Sequence, residues 1–214
     1  MVTVRAASYT ERAARYAREI VAGGAIACRW VRLACERHLR DLDLSKDPAF
    51  PYVFDEGAAD TVCEFVEHFK HIKGKWARAG QYIVLEPWQC FIIACVFGWK
   101  RRADGMRRFR VVYIEVARKN AKSTLTSGVG NYLVAADGEE GAEVVSAATT
   151  RDQARIVFRV AQAMARKEPE FLELFGVEVT AHAISQPATA SKFEAISAED
   201  HSLDGLNLHA ALID

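Results

Sequence analysis

The sequence predicts an α/β fold, a mostly parallel sheet flanked by helices and preceded by a helical segment. Three observations predict it. Beyond residue 80, short β-branched runs alternate with helix-length stretches, the pattern of strand–helix–strand units. The first run, Val111-Val-Tyr-Ile-Glu-Val116, passes through a basic turn into a helix-like stretch ending at Ala136. Before residue 80 the apolar residues keep helical spacing instead. The expected division is a helical N-terminal segment or lid over 1–80 and a partial α/β domain over 81–214.

Two hundred and fourteen residues suffice for one domain with a sizeable core. Half of them are apolar and 26% charged, an ordinary globular composition. The formal charge is zero, so a nucleic-acid binder would need a local basic surface, not an overall field. Cys28, Cys35, Cys63, Cys90 and Cys95 are odd in number and form no C-x-x-C pair, which predicts buried free thiols in a reducing compartment. No signal-peptide pattern opens the chain, and no apolar run reaches the length of a membrane span.

Residues 10–42 read as two helices broken at Gly23-Gly24, the second with Ile26, Trp30, Leu33, Ala34 and Leu42 as its apolar face. Asp55 is positioned to cap a third helix. Val62, Phe65, Val66, Phe69 and Ile72 form its stripe, His68 and His71 are solvated, and Gly74 ends it. Pro87 suits the first turn of a buried helix running towards Trp99. On that helix, Trp88 and Gln89 read either as core and cap residues or as an aromatic wall beside an amide. The amide offers a donor and an acceptor together, which fits the N6/N7 edge of adenine. Six basic residues between Lys100 and Arg110 surround the turn Asp104-Gly105 and read as a solvated loop, with a phosphate-backbone contact as the alternative. Ala142–Ala148 is a strand, Thr150–Gln153 a capping box for a helix to about Arg166, and Val177–Ser185 and Lys192–Ser197 are short strands. A polar loop from Ala198 leads to a final apolar strand ending in Asp214.

The turn after Val116 carries the chemistry. Arg118, Lys119, Asn120, Ala121, Lys122, Ser123 and Thr124 link a strand to a helix. There, backbone N–H groups and the helix N-terminus face an anion, a lysine reaches β- and γ-phosphates, and a hydroxyl ligates Mg²⁺. Against the pattern G-x-x-x-x-G-K-[ST], Val116 and Ala121 stand where the glycines belong. Ala121 therefore needs a backbone conformation that glycine adopts freely. The plainer alternative is a basic turn after a strand.

Glu86-Pro-Trp-Gln89, Phe97-Gly-Trp99, Ala117-Arg-Lys-Asn-Ala-Lys-Ser123, Ala147-Ala-Thr-Thr-Arg-Asp-Gln-Ala154 and Leu203-Asp-Gly-Leu-Asn-Leu-His-Ala-Ala-Leu-Ile-Asp214 follow in this order. Together they resemble the ATPase portion of the large terminase subunit of tailed bacteriophages, the motor that drives DNA into the capsid. The resemblance implies a P-loop NTPase sheet of the RecA-like (ASCE) class that uses ATP and Mg²⁺. It implies that Trp88 and Gln89 contact adenine and that residues 118–124 surround the phosphates. Lys122 and Arg118 become the catalytic pair, with Arg118 sensing or stabilising the γ-phosphate, and Ser123 and Asp214 hold the metal. The implied partners are double-stranded phage DNA, the portal protein, the small terminase subunit and further copies in a ring on the procapsid. The implied setting is the cytoplasm of the bacterial host, with no membrane.

In that family a glutamate follows the strand's aspartate, whereas Asp214 is the last residue here. The later strand, the coupling motif and the nuclease domain are also missing. The expectation is a fragment that turns over ATP negligibly by itself. Its sheet would have a gap, with unpaired edges, between the phosphate-loop strand and the last strand. The rivals are a helicase-like or other P-loop NTPase and a non-enzymatic prophage remnant.

Overall fold

The computed structural model describes residues 7–148, 150–197 and 207–213, with backbone alone at Arg151, Asp152 and Ser197. In chain order the elements are α1 (Tyr9–Val21), α2 (Arg29–Leu44), β1 (Tyr52–Phe54), α3 (Glu56–Glu67), α4 (Gly74–Arg78), α5 (Pro87–Ile93), a π-helical turn (Ala94–Gly98) and β2 (Trp99–Arg101). There follow α6 (Lys122–Ala135), β3 (Glu143–Ala148), α7 (Arg151–Arg166), α8 (Pro169–Phe175), β4 (Glu178–Val179), β5 (Ala183–Gln186), a 3-10 turn (Pro187–Thr189), β6 (Ser191–Ser197) and β7 (Leu208–Ile213). They form two compact units, interleaved in sequence. One holds residues up to 64 with 84–115, and the other holds 65–83 with those from 116 onward.

In the first unit the predicted helix starts are built as expected. Asp55 accepts the Ala58 N–H at 2.9 Å as the cap of α3, and Pro87 opens α5. The face of α2 differs from expectation. Ile26, Trp30 and Leu33 are exposed, and the buried side is Cys35, His38 and Asp41. Helical spacing fixes which residues share a face, but not which face meets the core. Here the core offers polar partners. The indole N–H of Trp99 donates to His38 Nδ1 at 3.0 Å, and Phe54, Phe91 and Trp99 present their rings to the imidazole at near right angles. Asp41 meets the Arg108 guanidinium at 2.8 Å. Gly98 is required where it stands, because a Cβ there would fall 2.5 Å from the Phe54 ring.

That pairing also revises the reading of the basic run as a solvated loop. Arg108 lies over Tyr52 at 4.1 Å, Arg102 donates to the carbonyls of Phe50 and Ser45, and Lys100 pairs with Asp55 at 2.7 Å. These cations fasten the loops around β1 and β2. Four of the five cysteines are buried free thiols and Cys28 is exposed.

The second unit is a five-stranded sheet in the order β4-β5-β6-β3-β7. β3 runs parallel to both β6 and β7, and the antiparallel pairs β5–β6 and β4–β5 extend one side. Val144 pairs with Phe193 and shares its face with Ser146, whose hydroxyl donates to Ala154 O of α7. Phe193 packs edge-on to Phe158 of α7 at 5.5 Å, and a Cβ on Gly130 of α6 would come within 2.6 Å of the same ring. The two long helices therefore share one face of the sheet. They are tied to each other by Ser127 Oγ donating to Val157 O and Asn131 Nδ2 to Ala161 O. α6 is consequently buried around most of its circumference, with Gly128 set against Val66.

Two further expectations are corrected. α3 stops at Glu67, and Gly74, at φ +73°, begins α4 instead of ending α3. The run Val111–Val116 lies outside every strand and helix, and Val111, Val112 and Tyr113 are 89%, 45% and 85% exposed. A strand exists only through a ladder partner, and none pairs with this run among the described residues. α8 was not foreseen; Pro169 both breaks α7 and opens α8 as its first helical residue.

Candidate functional site

The loop from Arg118 to Lys122 stands open to solvent, with Ser123 and Thr124 half-buried behind it. Two of its residues adopt left-handed backbone, Lys119 at φ +71° and Ala121 at φ +56°, ψ +21°. Such residues within a turn fold successive N–H groups into a concavity that accepts an anion. An L-alanine held there costs about 1–2 kcal/mol relative to right-handed backbone, so the surrounding structure must enforce the turn. Part of that enforcement is visible: Asn120 Nδ2 donates to Ala117 O at 3.1 Å, closing the loop across its mouth.

Ala121 is also the N-cap residue of α6, and its methyl side chain cannot cap the helix. Ala121 thus offers no side-chain acceptor to the first N–H groups of this 14-residue helix, whose positive end meets the loop. Lys122 and Ser123 are the first two helical residues, so ammonium and hydroxyl are carried by the element whose N-terminus would face an anion bound in the loop. The core side of α6, pinned at Ser127 and Asn131, keeps that end in place. Loop and helix fit a phosphate chain with a divalent cation. Lys122 and Arg118 supply positive charge, the left-handed turn supplies N–H donors, and the Ser123 hydroxyl supplies a hard oxygen ligand.

The remaining predicted residues fall elsewhere. Trp88 and Gln89 belong to the first unit, on α5. Gln89 is 5% exposed and its Oε1 accepts the Glu86 N–H at 2.8 Å, so this side chain is the returning half of a capping box, as the plainer reading has it. Trp88 is half-buried. Asp214 lies outside the described residues, as do Glu199 and Asp200. β7, which leads to Asp214, is parallel to β3 and contributes Leu212 against α6. Among the described residues no group of three His, Cys, Asp or Glu side chains is placed to hold a metal ion. No helix there is long and apolar enough to cross a membrane.

Two contributors escaped sequence reasoning. The Asn120 brace has a visible signal, an amide in a turn that reaches back three residues. The pinning pair Ser127 and Asn131 also has one, since two polar residues four apart share one face of a helix whose later turns are largely apolar.

Comparison with known proteins bears on the family and the fold. The family described as the ATPase domain of the terminase large subunit matches residues 87–214. The large terminase subunit of Enterobacteria phage HK97 is 28% identical over 157 residues, which is 72% of this chain and 30% of the phage protein. The crystal structure of the HK97 large terminase superposes with a TM-score of 0.58 at 27% identity, covering 73% of this chain and 30% of that one. The chain thus spans less than a third of the length of that relative. With the family matched over more than half its residues, the chain belongs to the terminase large subunit ATPase domain family.

Proposed function

We propose that this chain is the ATP-binding part of a viral DNA-packaging motor, holding Mg-ATP at residues 118–124. The observation that carries this is the left-handed pair Lys119 and Ala121 leading into a helix that begins with Lys122 and Ser123. In the intact motor, hydrolysis drives double-stranded DNA into the procapsid.

Each residue has a role its chemistry supports. The Lys122 ammonium neutralises the β- and γ-phosphates, and Arg118 faces the charge that develops as the terminal phosphoryl leaves. Lys119, Asn120, Ala121 and Thr124 contribute backbone N–H groups and loop shape. Ser123 and Asp214 hold Mg²⁺, which when bound supplies Lewis-acid charge. Trp88 and Gln89 contact adenine, with the Gln89 amide N–H₂ as the donor, since its oxygen serves the capping box. The proposed partners are duplex phage DNA, the portal protein, the small terminase subunit and further copies in a ring, within the cytoplasm of the bacterial host.

Titration calorimetry with Mg-ATP and with Mg-tripolyphosphate tests this reading. Lys122→Ala is expected to abolish both, while Trp88→Ala weakens ATP and leaves tripolyphosphate unchanged. Equal binding of Mg-ATP by wild type and Lys122→Ala would remove the phosphate site from this loop.

A further inference from the structure

We propose that the hairpin from Lys70 to Tyr82 is a docking surface for the phosphate backbone of duplex DNA. The choice of duplex DNA rests on the function proposed above; the surface itself rests on the hairpin alone.

Its root is fixed. Ile83 N–H donates to Phe69 O at 2.8 Å, His71 N–H to Gln81 O at 2.9 Å, and Lys70 bridges Tyr82 across an antiparallel pair. Beneath them Phe69 and Ile83 are 1% and 5% exposed. Glu168 accepts from both the backbone N–H and the ammonium of Lys70 at 3.1 Å, and Lys167 Nζ donates to His71 O. The tip is free. Gly74 and Gly80, at φ +73° and +63°, turn the chain on either side of α4, with open space where a Cβ would stand.

On this tip Lys73, Lys75 and Arg78 are exposed, and no acidic residue occurs from Lys73 to Gln81. None of the three enters an ion pair among the described residues. Trp76, 51% exposed, lies against His71 at 5.0 Å, with the Lys75 ammonium 5.7 Å from its ring centroid. In a chain of zero net charge, three uncompensated cations within six residues make a local positive field on a firmly rooted projection. Duplex DNA, with one charge per roughly 1.7 Å of axis, matches that density, and releasing its counterions favours binding. An acidic peptide spaces its carboxylates more widely. The longer basic run from Lys100 to Arg110 is the weaker candidate, because Lys100, Arg101, Arg102 and Arg108 already have partners.

The test is fluorescence anisotropy of a labelled 20-base-pair duplex with the whole 214-residue chain, in 50–200 mM salt and without nucleotide. The triple variant Lys73→Ala, Lys75→Ala, Arg78→Ala is expected to bind at least about a hundredfold more weakly at 50 mM. Its slope of log affinity against log salt should be shallower by about 2.7, or roughly 40-fold less affinity lost across that range. The three side chains are exposed, so circular dichroism should show the fold intact; a Gln-substituted triple serves if it does not. Trp76→Ala should weaken binding and leave the slope unchanged. Absence of duplex binding by wild type, or a triple variant with wild-type affinity and slope, would overturn the proposal. So would poly-glutamate binding as tightly as duplex with the same dependence on the hairpin. If the hairpin proves irrelevant while Lys122→Ala still abolishes Mg-ATP binding, this inference falls and the motor reading stands. If DNA binds through the hairpin but Mg-ATP does not bind at all, the reverse holds.

Discussion

Ala121 is the residue at which backbone conformation and function meet, and changing it has a calculable effect. At φ +56° an alanine carries about 1–2 kcal/mol of left-handed strain. Glycine removes the strain but adds about 0.4–1 kcal/mol of unfolded-chain entropy. Glycine is also a better N-cap than alanine, and Ala121 occupies the N-cap of α6. Ala121→Gly is therefore expected to stabilise by about 1 kcal/mol, a rise of roughly 2–4 °C in the thermal midpoint for a chain of this size. Valine at the same position, β-branched and forced to positive φ, should lower the midpoint by a similar or larger amount. Thermal unfolding followed by circular dichroism measures both, and calorimetry should find Mg-ATP affinity in the glycine variant at least equal to wild type. A midpoint lowered by glycine and unchanged by valine would mean that Ala121 is not left-handed, and the loop geometry would have to be abandoned.

Burial among aromatic rings pushes the His38 imidazole down to about 4 from 6.5. The folded state then resists protonation that the unfolded chain accepts. Stability is fully present above pH 6.5 and is lost as pH falls towards about 4, by about 3 kcal/mol in all. Denaturant midpoints across that window should fall less steeply in His38→Gln than in wild type, and parallel slopes would refute the assignment. Gly130→Ala places a Cβ 2.6 Å from the fully buried Phe193, so overpacking of about 1–3 kcal/mol should outweigh the roughly 1 kcal/mol gain in helix propensity. Gly57→Ala on α3, which meets only ordinary contact, should not destabilise; equal loss in both variants would contradict the packing described.

Much of this molecule could be read from its sequence, because local rules decide where helices start. The Asp55 cap, Pro87 at the head of α5 and Thr150 before α7 each act within one turn of chain. Orientation was less legible. The α2 spacing held, but the core chose Cys35, His38 and Asp41, since Trp99 and Arg108 come from elements more than fifty residues away. The run Val111–Val116 has strand composition, but strand identity belongs to a pair, and composition does not supply a partner. The backbone of the proposed phosphate loop was not legible: the motif lacks its glycines, yet Lys119 and Ala121 adopt glycine-like backbone regardless. Arg108 illustrates the converse, a member of a charge run whose role is set by a buried carboxylate far away in sequence.

Hydrogen exchange with and without Mg-ATP, read by mass spectrometry on peptides covering residues 115–130, tests the phosphate site most directly. Added nucleotide is predicted to slow exchange at the amides from Lys119 to Thr124, with the protection lost in Lys122→Ala. Protection confined to other peptides, or protection at 119–124 that survives Lys122→Ala, would contradict the account.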